Sequence, residues 1–135
     1  MGAFVCLDFT VTVGDVDLSD HISKVTIAAT VDEVDSTAFT EDWHSRLGGL
    51  KDWSVQIDFN QDFSADEVDA TLWPLFGTLA AITAKPFAGS VSATNPQYSG
   101  NALISQHNPL DGQVGDLAKN SVTWPGSGAL ARATA

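Results

Sequence analysis

The sequence holds a single cysteine, Cys6, in 135 residues. No intrachain disulfide can form and no cysteine-based metal cluster can be built, which is consistent with folding in a reducing compartment. Basic residues are also scarce. Six Lys and Arg stand against seventeen Asp and Glu, for a formal net charge of -11. Such a surface repels phosphate backbones and anionic lipid, which argues against conventional nucleic-acid binding and membrane docking. Charged residues of both signs make up only 17% of the chain. Thr, Ser, Ala and Val take their place, a mix that favours β structure and contact surfaces. No apolar run approaches the roughly 20 residues of a membrane span. The opening Met1-Gly2-Ala3-Phe4-Val5-Cys6 lacks a basic n-region and a long apolar stretch, so no signal peptide is expected there. Cys6 also stands where a myristoylation signal would carry Ser or Thr.

What is present is alternation. A chain of this length fits one domain over residues 1–135, able to bury roughly two-thirds of its unfolded surface. Residues 4–13 read as a strand, with a turn at Gly14-Asp15 and a short return at Val16-Asp17-Leu18. In residues 22–34, Val25, Ile27, Ala29 and Val31 point one way, and Lys24, Thr26, Ala28 and Thr30 the other. Residues 50–63 alternate most strongly. Trp53, Val55, Ile57, Phe59 and, at the end, Phe63 oppose Asp52, Ser54, Gln56, Asp58 and Asn60. Between these strands a long polar loop is expected at about 37–49, closed by Gly48-Gly49.

Ser64-Ala65-Asp66-Glu67 matches a capping box, and Val68, Leu72, Leu75, Phe76 and Leu79 recur at helical spacing. Pro74 should kink or end that helix near Trp73. Further strands are expected over 79–87, 98–106 and 115–124. Pro125-Gly126-Ser127-Gly128 reads as a stop, and residues 129–135 as a small-residue tail ordered only by contact. About seven strands and one helix predict a mainly β fold: an antiparallel sandwich or partly rolled barrel with one flanking helix.

Catalytic and metal signatures are weak. His21, His44 and His107 lie in separate contexts without ligand spacing. Asp20-His21 reads as a turn pair rather than a base with its orienter. Ser19, Ser45 and Ser105 lie near histidines, but adjacency in sequence does not make a catalytic pair. Asp58 and Asp62 read as a solvated acidic edge. The alternating acids of residues 15–20 lack the central Gly and closing Glu of a calcium loop. No catalytic, metal-binding or cofactor-binding residue is assigned, and no enzyme is expected. Trp53, Phe59 and Phe76 read as core; Trp43 and Trp124 read as interface anchors.

Several segments, in their order and spacing, resemble small tail tube (major tail) proteins of long-tailed phages and prophages of actinobacterial type. They are Asp35-Ser36-Thr37-Ala38-Phe39, residues 49–54 and 60–63, Val68 through Leu75, Thr94 through Gly100, Gly115-Asp116-Leu117-Ala118 and Leu130 through Thr134. The resemblance implies a non-enzymatic virion protein without cofactors. It implies self-assembly into stacked hexameric rings whose strands join edge to edge around a lumen. The implied partners are other copies of the chain, a tape-measure protein inside, tail terminator and distal tail proteins at the ends, and double-stranded DNA in transit. The implied location is the virion tail, assembled in the host cytoplasm.

On that reading the lumen candidates are Asp52, Gln56, Asp58, Asn60, Lys24, Thr26 and Thr30, with the acidic excess lining the passage. The candidates for contact between subunits are Phe39, Trp43, His44, Arg46, Trp124 and Arg132. The competing reading is a β-sandwich recognition module that presents exposed Trp to a glycan or protein.

Overall fold

The strongest alternation in the sequence makes the longest ladder in the fold. In the computed structural model, which describes residues 3–135, strands β3 (Ile22–Asp35) and β4 (Arg46–Asn60) pair along nearly their whole length. The Met1-Gly2 start, read above for targeting signals, lies outside the described residues. The other elements are β1 (Thr10–Val13), β2 (Val16–Asp17), a 3₁₀ turn (Ser19–His21), helix α1 (Val68–Leu75), β5 (Leu79–Lys85), β6 (Gln97–Leu103) and β7 (Lys119–Ala133). All pairings are antiparallel, in the order β2-β1-β5-β6-β7-β4-β3.

Strand β7 makes this one rolled sheet. Its residues 119–125 pair with β4, and its residues 126–133 pair with β6. The change of partner falls at Pro125-Gly126, where a missing N–H and a missing side chain let a strand turn a corner. Beyond the corner, one residue separates Ser99 from Asn101 on β6, while three separate Ser127 from Ala131 on β7. The extra residues form a bulge, with Gly128 at φ 86. Trp53 fills the corner. Its Nε1 donates to the Gly128 carbonyl at 3.1 Å, and a Cβ added at Gly100 or Gly126 would run into its ring.

Rolling brings the dry faces of both halves together. Val11 and Val13 of β1, Ile82 of β5, Val55, Ile57 and Phe59 of β4, and Val122 and Trp124 of β7 form one core, closed by Val68 and Leu72 of α1. The Phe59 and Trp124 rings lie 6.2 Å apart. Each large side chain buried there contributes about 1.5–3 kcal/mol.

Several boundaries differ from expectation. The first strand is only Thr10–Val13; before it Phe4 and Phe9 line a groove, while Val5 and Leu7 are exposed. Leu47, Gly48 and Gly49 belong to β4, so the loop spans only residues 36–45. The strands expected to reach 87 and 106 end at Lys85 and Leu103. The last strand begins at Lys119 and runs through the expected stop, so residues 129–133 of the supposed tail are strand. Phe76 caps the helix C-terminus and is about half exposed, outside the core. Trp124, expected at a contact between subunits, is 0% exposed, and its Nε1 donates to the Gln106 carbonyl at 2.8 Å.

The capping box does not form. Helix α1 starts at Val68 with no side-chain cap. Asp62 takes the Ser64 amide at 2.8 Å, and Glu67 turns to His21 instead.

Candidate assembly surface

Register places the predicted polar residues side by side. Lys24 stands opposite Asp58, Thr26 opposite Gln56, and Thr30 opposite Asp52. Opposed residues share a face of the sheet, so these six lie on one side with Asn60. Strand β7 extends the face through Lys119 opposite Asn60, Ser121 opposite Asp58 and Thr123 opposite Gln56. These three residues escaped the sequence reading. The alternation Ser121-Val122-Thr123-Trp124 was visible, but nothing local told which strand it would join.

The face is polar rather than acidic. Along the same alternation Asp32, Asp52 and Asp58 are set against Lys24 and Lys119, which leaves it near balance. The expected lining of acidic charge is therefore not gathered here. Many acids sit instead around the 3₁₀ turn and the start of α1, among them Asp15, Asp17, Asp20, Asp62, Asp66, Glu67 and Asp69.

The same strands leave backbone open. Strand β3 is last in the sheet order, so its outer edge has no partner among the described residues. Residues 46–53 of β4 pair only with β3, because β7 has turned away. The distal hairpin is thus a two-stranded arm, exposed on both faces. Val31, Val34, Leu47 and Leu50 are all exposed along it. Long uncapped edges with apolar side chains are templates for pairing with another chain.

At the arm's end the loop is ordered by polar contacts. The Ser36 amide donates to the Ser45 carbonyl at 2.8 Å, and the Ser45 amide to Thr37 Oγ1 at 2.8 Å. Asp35 accepts from the Thr37 amide at 2.9 Å, and its other oxygen lies 3.3 Å from His44 Nδ1. The bonds from Thr37, with a smaller one from His44, hold the Asp35 carboxyl below its ordinary pKa. Phe39 and Trp43 take no part in this: they are 98% and 86% exposed. Of the remaining contact candidates, His44 and Arg46 lie at the loop base and Arg132 near the exposed end of β7, and all three are exposed. The structure thus gathers Phe39, Trp43, His44 and Arg46 and separates them from Arg132 and Trp124.

Two histidine clusters join residues far apart in sequence. His21 Nε2 lies 2.5 Å from Glu67, 3.5 Å from Asp62 and 3.9 Å from Asp20. Hydrogen bonds from Ser64, helped by the nearby His21, hold the Asp62 carboxyl below its ordinary pKa. Asp20, His21 and Glu67 each offer a ligand atom within 4.8 Å of the others, so these are the residues that could hold a metal ion. His107, its side chain 1% exposed, lies with Nε2 3.2 Å from Asp69 and Nδ1 3.0 Å from the Asn120 amide nitrogen, tying α1 to β7. The alternating acids of residues 15–20 form a turn in which Asp17 accepts from the Ser19 amide and hydroxyl. Asp58 lies within β4, while Asp62 lies beyond its end beside His21.

No protein-family model and no curated protein matches the chain. Solved structures share its fold, among them two from gene transfer agent particles. One is a chain of the virion of a native gene transfer agent particle, with a TM-score of 0.76 and 15% identity over 94% of this chain and 96% of that one. The other comes from the tail of an empty gene transfer agent particle, obtained with helical refinement and C6 symmetry. It has a TM-score of 0.68 and 17% identity over 84% of this chain and 83% of that one. At such identities the likeness is one of fold, and it spans nearly the whole chain.

Proposed function

We propose that this chain is a structural tail tube protein that assembles with copies of itself into stacked hexameric rings, forming a hollow tube for genome delivery. The open β3–β4 arm carries the reading. A long unpaired edge, uncovered apolar side chains and a contiguous polar face occur on one element, and pairing between subunits would satisfy all three. The C6 symmetry of the structurally similar tail supports six copies per ring. On this reading the β3–β4–β7 face lines the bore. Near-balanced polar side chains would hold water there and give DNA phosphates no basic track to bind. A tape-measure protein would occupy the bore during assembly, with terminator and distal proteins at the ends. Location in a virion tail, assembly in the host cytoplasm and membership of the actinobacterial long-tailed group belong to the same proposal.

Electron microscopy across a concentration series tests it. Rings or tubes of uniform bore are expected. A monodisperse monomer at high concentration refutes it.

A further inference from the structure

On the opposite side of β3 from the polar face lies an apolar groove of about 640 Å³. Phe4, Phe9, Phe87 and Tyr98 line it, with Ile27 contributed by β3 itself. The Phe4 ring lies 5.1 Å from that of Phe87 and 6.2 Å from that of Phe9. The volume is in the range that encloses a sizeable apolar ligand. Among the described residues, its one charged lining residue is Lys85, whose Nζ donates to the Gly89 carbonyl at 2.8 Å.

We propose that this groove is the socket for the aromatic hairpin loop of a second copy of this chain. The inference rests on the assembly reading above and names its contact. Three observations support it. First, Phe39 and Trp43 are large apolar groups held in water by a loop that is already ordered, so docking them costs little further conformational entropy. Second, Glu41 and Asp42 directly precede Trp43, opposite in sign to Lys85 in a chain with only six basic residues. Third, the loop cannot reach its own groove. Ile27 lies in the groove wall, and the loop begins after Asp35, eight residues further along the same paired strand. At about 3.3 Å per residue, that ladder holds the two roughly 26 Å apart. The occupant must come from another molecule.

Cysteine cross-linking tests this in a Cys6→Ser background. One variant carries Ala38→Cys in the loop, beside Phe39 and with both aromatic anchors kept, the other Thr94→Cys at the groove. Mixed and oxidised, they should give a heterodimer band; the same loop variant mixed with Thr123→Cys on the polar face should not. Electron microscopy of reduced samples separates this inference from the reading it rests on. Particles without the heterodimer overturn the socket and leave the tube standing. A heterodimer without particles keeps the socket and removes the tube. A bound small apolar molecule in place of the loop, or an intrachain disulfide in the double variant, also overturns the socket. As a check that avoids cysteine, Trp43→Ala should raise the concentration needed for assembly at least about tenfold while leaving the unfolding midpoint in place. Lys85→Glu and Asp42→Lys should each weaken assembly, and together restore it. Failure of the pair to rescue counts against the charge contact.

Discussion

The two ends of the β3–β4 hairpin are built from the same kind of ladder and live in different solvents. At the base, Val55, Ile57 and Phe59 are fully buried against β1, β7 and α1. Along the arm, Val31, Val34, Leu47 and Leu50 have similar hydrophobicity and are half to largely exposed. Backbone pairing alone therefore does not decide what a strand contributes. The base supplies the stability of the fold, while the arm holds apolar surface and an open edge in reserve for another chain.

The largest expected effect would sharpen that division. Phe59→Ala should cost about 3–5 kcal/mol, because the ring leaves a cavity between β4 and Trp124. Leu50→Ala, at a residue 82% exposed, should stay within about 0.5 kcal/mol in the same denaturant titration. Equal losses at the two positions would mean that the arm is folded into the body in solution.

The junction should lie between these extremes. At Gly126 an added methyl would meet the Trp53 indole, which the Gly128 carbonyl holds in place. Gly126→Ala should therefore cost about 1–3 kcal/mol by overpacking. Thermal unfolding measures it, and a neutral result would show that the corner gives way without loss.

These contrasts follow how far the sequence could be read. The base was legible, since Trp53, Val55, Ile57 and Phe59 meet one dry face and the intervening residues meet a wet one. The second half of β7 was not. Its glycines, alanines and serine show little alternation, and it is a strand because β6 accepts it. Pro125 read as a stop, yet it marks a corner, and that error put Trp124 outside the core. The Ser64–Glu67 spacing was a sound local signal that tertiary partners outcompeted, with His21 lying 46 residues from Glu67. Within the candidate site, the polar alternation was readable strand by strand. The matching of Lys24 with Asp58, and the joining of Ser121 and Thr123, depended on long-range register.

Charge on the polar face tests whether base and arm share one functional surface. Asp52 lies toward the arm and Asp58 toward the base, both on that face. Changing both to Lys should cost no more than about 1 kcal/mol, chiefly from the new lysine opposite Lys24. Assembly should persist. The particles should then retain DNA at low salt and release it as salt rises, because phosphate contacts displace counterions. Genome passage should slow. Loss of all assembly would place this face against a neighbouring subunit instead of a bore.

The smallest expected effect is a pH response split between the two ends. Asp35 at the arm and Asp62 near the base both have carboxyls held below their ordinary pKa, the first mainly by Thr37 and the second mainly by Ser64. For such groups the folded state binds protons less readily than the unfolded chain. Their stabilisation is present above the ordinary Asp value of about 3.9 and is lost as pH falls through the lower folded value. The Asp35 carboxylate is exposed and that of Asp62 partly so, and solvent screening keeps the contribution modest. Its location is the informative part. Asp62 orders the connection between β4 and α1, so Asp62→Asn should reduce the acid sensitivity of global unfolding seen by urea titration. Asp35 orders only the loop of an uncovered arm. Asp35→Asn should leave global unfolding alone and speed amide exchange at Thr37, whose N–H it accepts. A global effect from Asp35 would mean that the arm opens only when the core does, and the contrast between the two ends would then be one of exposure and not of cooperativity.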